Sequence, residues 1–233
     1  MPRLPRLNIV NNPHYVSQRG HNNQPCFFDE EDYEYYLECL SKASHQYQCK
    51  IHAYVLLENN IQLLITPTIH GGISSLMQSI GRRYVQYINH KYKRSGTLWG
   101  GRYKACVIDA RGYLLTLYQY IENEPVRKGV VDSPIDYPWS SYHYHILGGF
   151  TNIIVDHSIY LGLGESSNER SSRYLEQIKF PINSLLLKYI NEKLSGDVVL
   201  GGDNFVSEIE ELSDHRIRPL KRGRPKKRDN DFD

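Results

Sequence analysis

Cysteine is scarce and scattered in this 233-residue chain. Cys26, Cys39, Cys49 and Cys106 include no C-x-x-C pair. That argues against a zinc site or a disulfide framework and fits free thiols in a reducing compartment. No apolar stretch approaches the ~20 residues of a membrane span. The opening Met1-Pro-Arg-Leu-Pro-Arg6 has no apolar h-region, so neither a secretory signal nor a membrane partner is expected. Net charge is low as well, +2 over the whole sequence.

That small total conceals two basic concentrations. Residues 216–228 hold eight Lys/Arg and no acid, whereas residues 1–215 carry 20 basic and 23 acidic residues. Within the latter, residues 82–111 hold eight basic residues against Asp109 alone. Basic charge gathered in two places points to a polyanion site.

The length suits one sizeable core plus an appendage. Pro13 to Arg19 reads as a strand, and the turn residues of Gly20 to Pro25 as a loop. Asp29 opens an amphipathic helix to about Gln46, with acids in its first turn and Leu37, Leu40 and Ala43 at near-helical spacing. Lys50–Leu57 and Ile61–Thr66 form a hairpin around Glu58-Asn59-Asn60. A long helix runs from Ile73 to about Lys93, with Ile73, Leu76, Met77, Ile80, Tyr84, Tyr87 and Ile88 on one stripe. Arg102–Ile108 is a fourth strand and Ala110 to about Asn123 a further helix. The order β-α-β-β-α-β-α is the ferredoxin-like pattern with an added helix, an α+β fold with an antiparallel sheet and helices on one face. After a short helix beyond Tyr142, further helices are expected over 155–180 and 182–194. A turn over 196–203 then leads into a helix over 204–212. The expected organisation is a domain over 1–149, a helical extension over 150–214 and a disordered basic tail over 215–233.

Residues two apart on a strand share a face, so Asn60 and Gln62 converge. Residues four apart on a helix are neighbours, so Tyr120 and Glu124 also share a face, although Pro125 marks a helix end near Glu124. Five segments then carry a resemblance over roughly residues 1–145: His14-Tyr-Val-Ser-Gln-Arg-Gly20, His52-Ala-Tyr-Val55, Gly96-Thr-Leu-Trp-Gly-Gly-Arg102, Tyr120-Ile-Glu-Asn-Glu-Pro-Val-Arg127 and Asp136-Tyr-Pro-Trp-Ser-Ser-Tyr142. In this order the sequence resembles the REP-associated tyrosine transposases, a branch of the HUH single-strand DNA transposases.

The resemblance implies that Tyr120 is a nucleophile cutting single-stranded or hairpin DNA through a 5′-phosphotyrosine. It also implies that two strand histidines, with a polar residue four after the tyrosine, hold a divalent cation. Here Asn60 and Gln62 replace the histidines, and Glu124 takes the third position. Amide oxygens are hard, weak ligands, so Mg²⁺ or Mn²⁺ would be held weakly. Either the site has been rebuilt around a carboxylate or catalysis has decayed, which would leave a DNA-binding regulator. The resemblance further implies a bacterial cytoplasmic, nucleoid-associated protein.

Arg19, Arg82, Arg83, Lys91, Lys93, Arg94, Arg102 and Lys104 are the expected phosphate contacts. The interleaved Tyr84, Tyr87, Tyr92 and Tyr103 either stack bases or fill the core. In the tail, Arg222 and Arg224 of Lys221-Arg-Gly-Arg-Pro-Lys-Lys-Arg228 resemble an AT-hook for A·T-rich duplex, the alternative being a non-specific basic tail. His143 and His145 read as surface or packing residues, since helical positions two apart diverge.

Overall fold

A computed structural model of the protein describes residues 7–149, 151–196, 199–213 and 217. The expected tail, with Arg222 and Arg224, lies outside the described residues apart from Ile217. The strands are β1 (His14–Arg19), β2 (Cys49–Leu57), β3 (Asn60–Pro67), β4 (Lys104–Ile108) and β5 (Val199–Leu200). The first helices are α1 (Glu30–Gln46), α2 (Gly72–Lys91), α3 (Ala110–Glu122) and the single-turn α4 (Glu124–Arg127). They are followed by α5 (Tyr142–Leu147), α6 (Ser158–Leu161), α7 (Ser167–Ile178), α8 (Ser184–Gly196) and α9 (Asp203–Ser213).

Local chemistry sets these boundaries. Asp29 caps α1 by accepting from the Asp32 backbone amide, and Asp32 caps in return, a reciprocal capping box. The hairpin turn is Glu58-Asn59, with Leu57 opposite Asn60. Helix α3 ends where Asn123 leaves helical geometry, and Pro125 enters α4 in the first turn, the one place where its missing N–H costs nothing.

The sheet order is β2-β3-β1-β4-β5. Strand β1 lies in the middle, antiparallel to both β3 and β4, and β5 adds a parallel edge beside β4. The sheet is therefore mixed, and its helices lie on both faces rather than on one. Helices α1 and α2 cover the face carrying Val16, Ile61, Leu63 and Ile65. Helix α3, backed by residues of α6, α7 and α8, covers the face carrying Tyr15, Val55, Leu57 and Leu64. A bulge between Ile51 and Ala53 shifts β2 by one residue at His52. His52 is pinned there by the Val155 carbonyl and the Thr66 hydroxyl, at 2.6 and 2.8 Å.

Candidate active site

On β3, Leu64 belongs to the α3 side of the sheet. Asn60 and Gln62, at the same parity, share that face. Tyr120, on α3, packs its ring edge-on against Tyr15 of β1 with centroids 6.2 Å apart. The phenol and the two amides thus lie on one side of the sheet. They line a common cleft of about 530 Å³ together with Glu124, Arg19, Arg102, Lys104, Lys128 and Asn191. Gly20 and Gly101 shape its rim. A Cβ on Gly20 would stand 2.0 Å from the Gln24 carbonyl oxygen. Gly101, at φ +134, takes the Gln18 amide on its carbonyl at 2.9 Å.

Asn60 and Gln62 are 7% and 3% exposed. Their Oδ1 and Oε1 are buried and have no hydrogen-bond partner. A buried acceptor without a donor costs about 1–3 kcal/mol, which a ligand at this site would relieve. Two such oxygens on one strand face fit a hard, partly hydrated cation of the Mg²⁺ kind. Glu124 fits less directly. Its carboxylate is paired with Arg127 and lies 3.8 Å from the Lys128 ammonium, so it must leave these partners to meet an ion. Among the described residues, no group of three or more His, Cys, Asp or Glu side chains could hold a metal.

Tyr120 is 6% exposed and donates its hydroxyl to Asn191 Oδ1 of α8 at 2.8 Å. Burial, reinforced by the Glu124 charge, raises its pKa above the ordinary tyrosine value, while Arg127 and Arg19 oppose the rise. The Arg127 guanidinium stacks over the phenol ring, 4.3 Å from its centroid, and bonds the Tyr120 carbonyl. Arg127 thus ties the Tyr120 backbone, the Tyr120 ring and Glu124 into one unit.

The expected phosphate contacts divide. Arg19, Arg102 and Lys104 line the cleft. Arg82 and Arg83 are exposed on α2, the helix that covers the opposite face of the sheet. Lys91 is consumed by Asp29, Glu31 and Asp32 at 2.8–3.0 Å, so the carboxylates that start α1 neutralise it. Neither Lys93 nor Arg94 lines the cleft, and Arg94 lies over the Phe28 ring. The interleaved tyrosines are structural. Tyr84 is fully buried, Tyr87 stacks on Tyr35, and Tyr92 bonds Asp29 and Asp32. Tyr103 bonds Ser74.

Three participants were not legible in the sequence. Lys128 lies just past the motif that drew attention to Tyr120. Asn191 and Ser195 come from α8, some 70 positions further on, with no motif to mark them. His145, expected as surface or packing, is fully buried and bonds Glu122. His143 is half-buried and bonds the Ile135 carbonyl.

Residues 14–124 match the protein family described as "Transposase IS200 like". A structure of a REP-associated tyrosine transposase bound to a REP hairpin is similar in fold, at 18% identity and a TM-score of 0.55, over 67% of this chain and 93% of that one. A protein assigned as a transposase from Deinococcus radiodurans R1 aligns at 18% identity and a TM-score of 0.37, over 53% of this chain and 98% of that one. No curated protein matches.

Proposed function

We propose that the chain is a transposase of the REP-associated tyrosine type, taking single-stranded or hairpin DNA into the cleft, a reading supported by the match of residues 14–124 to the IS200-like transposase family. The observation that carries this is the grouping of Tyr120, the orphaned Asn60 and Gln62 oxygens, and the basic Arg19, Arg102, Lys104 and Lys128 in one cavity. The cations hold the phosphates and Tyr120 supplies the nucleophile. The phenol oxygen bonds to phosphorus and the P–O3′ bond breaks. The phenol proton passes to solvent, and the departing 3′-oxygen takes one up. The products are a 5′-phosphotyrosine and a free 3′-hydroxyl.

Asn60, Gln62 and, once released from Arg127 and Lys128, Glu124 would hold Mg²⁺ or Mn²⁺. Such an ion supplies charge stabilisation at the phosphate oxygens. Carboxamides bind these ions more weakly than imidazoles bind Mn²⁺, and Tyr120 holds its proton more tightly than a free phenol. Cleavage is accordingly weakened. The raised phenol and its bond to Asn191 also favour a second reading, a DNA-binding regulator without chemistry.

Incubation with a single-stranded hairpin oligonucleotide and Mg²⁺ or Mn²⁺, followed by a denaturing gel, separates the two. The transposase reading expects a covalent species that Tyr120→Phe abolishes. Binding without any adduct under either metal leaves the regulator. Asn60→His combined with Gln62→His should raise both Mn²⁺ affinity and adduct yield. A double variant that stays inert places the defect elsewhere in the site.

A further inference from the structure

A separate cavity of about 330 Å³ lies outside the cleft, where the chain joining α7 to α8 passes the end of α3 and α4. Its wall is held in place. The Gln119 amide donates to the Ile178 and Phe180 carbonyls at 3.2 and 2.8 Å, which fixes the connection against α3. Val126, Pro181, Ile182 and Leu187 give the cavity an apolar lining, and Arg127 and Lys179 add two cations. Among the described residues no acid lines it. We propose that this cavity binds a small amphiphilic anion, an apolar tail carrying one carboxylate that competes with Glu124 for Arg127. Nothing in that recognition depends on DNA.

Volume and lining decide the class of ligand. Small-molecule sites are concave, largely apolar and run from roughly 300 to 1,000 Å³. A cavity at the small end of that range takes a short chain or a single ring system. A purely apolar ligand would leave both cations unused, so charge selects the anion. Lys179 is exposed and forms no ion pair among the described residues. Arg127 is paired with Glu124, but Lys128 draws on the same carboxylate at 3.8 Å. Arg127 and Lys128 thus share one acid and Lys179 has none. A ligand carboxylate supplies the missing negative charge through charge-assisted bonds. Its effect does not stop at the cavity. The Arg127 guanidinium lies 4.3 Å from the Tyr120 ring centroid and bonds the Tyr120 carbonyl as well as Glu124. An anion that draws on Arg127 loosens Glu124 in the neighbouring cleft.

Isothermal titration calorimetry of the full-length protein with sodium octanoate tests this. Octanoate should bind, and octylammonium, with the same tail and the opposite charge, should bind at least tenfold more weakly. Hexanoate, two methylenes shorter, should bind about 15-fold more weakly, since each buried methylene is worth about fourfold. Lys179→Glu, at the exposed rim, should weaken octanoate binding at least several-fold. Glu124→Gln removes the acid that competes for Arg127 and should tighten it. Leu185→Ser removes an exposed apolar side chain outside the cavity and should leave it unchanged. Absence of octanoate binding, equal binding of the two charges, or an unchanged affinity in either Lys179→Glu or Glu124→Gln overturns the proposal. Loss of binding in Leu185→Ser would put the ligand on the exposed apolar surface instead, which also overturns it.

Discussion

At Tyr120 the same burial that fixes the phenol in place raises its pKa. Its reactive phenolate is therefore rarer at neutral pH than in a free tyrosine. Adduct formation should rise with pH from neutrality past the ordinary tyrosine value of about 10, without the earlier plateau a lowered phenol would give. A rate profile over that range checks this. Buried histidines make stability depend on pH in a lower window. Burial drops His14 and His52 from 6.5 to about 4. Each stays neutral in the folded chain while the unfolded chain takes up a proton, so stability is complete above pH 6.5 and drains as pH falls toward about 4. The loss is about 3 kcal/mol per histidine. Denaturant midpoints measured across that window should fall, and a His52→Gln variant should fall less steeply.

Among the elements, α3 is the hub, and Glu122 is its least replaceable side chain. This carboxylate is fully buried and accepts from Ser141 at 2.6 Å, from His145 of α5 and from Tyr174 of α7 at 2.8 Å. It binds α3, at the end of which Tyr120 stands, to the helices that follow it. Glu122→Ala would strand three buried donors. A loss of about 3–5 kcal/mol is expected, as when one partner of a buried charged network is removed. Thermal unfolding measures that loss. Because α7 is held through Tyr174, protection from hydrogen exchange should drop first in α7 and α8. The β hairpin shows what pattern alone can settle. Alternation on β3 and the Glu58-Asn59 turn place Asn60 and Gln62 on one face, as period two requires. The bulge at His52 does not follow from alternation. It depends on the Val155 and Thr66 partners, and Val155 is about a hundred residues distant.

For the whole molecule, the two faces of the sheet assign different work to the basic residues. Arg19, Arg102, Lys104 and Lys128 face the cleft, whereas Arg82 and Arg83 belong to a helix on the other side. On the proposed DNA-binding reading, four phosphate contacts to a single strand predict a log–log salt slope of about −3. Arg102→Ala should shallow that slope by about 0.7, and Arg82→Ala should leave it unchanged. Fluorescence anisotropy with a labelled single-stranded oligonucleotide at several salt concentrations distinguishes the two. The small parallel edge β5 and the return of α8 to the cleft also belong to this scale. Both depend on where a distant segment docks.

Periodicity, capping and turn chemistry are local. They determined α1, α2, α3 and the first four strands, the shared face of Asn60 and Gln62, and the nearness of Tyr120 to Glu124, whereas the stretch 155–180, expected as one helix, divides into α6 and α7. The sequence also carried the substitution of two amides for imidazoles, because that is a matter of residue identity. Tertiary structure decided what those residues meet. It satisfied Lys91 with three carboxylates, tied Glu124 to Arg127 and Lys128, gave the Tyr120 hydroxyl to Asn191 and buried His145 against Glu122. Most of these partners lie many residues apart and are brought together only by packing, which no local pattern encodes. Even the neighbouring Arg127 and Lys128 meet Glu124 only because the chain turns into α4 after Asn123.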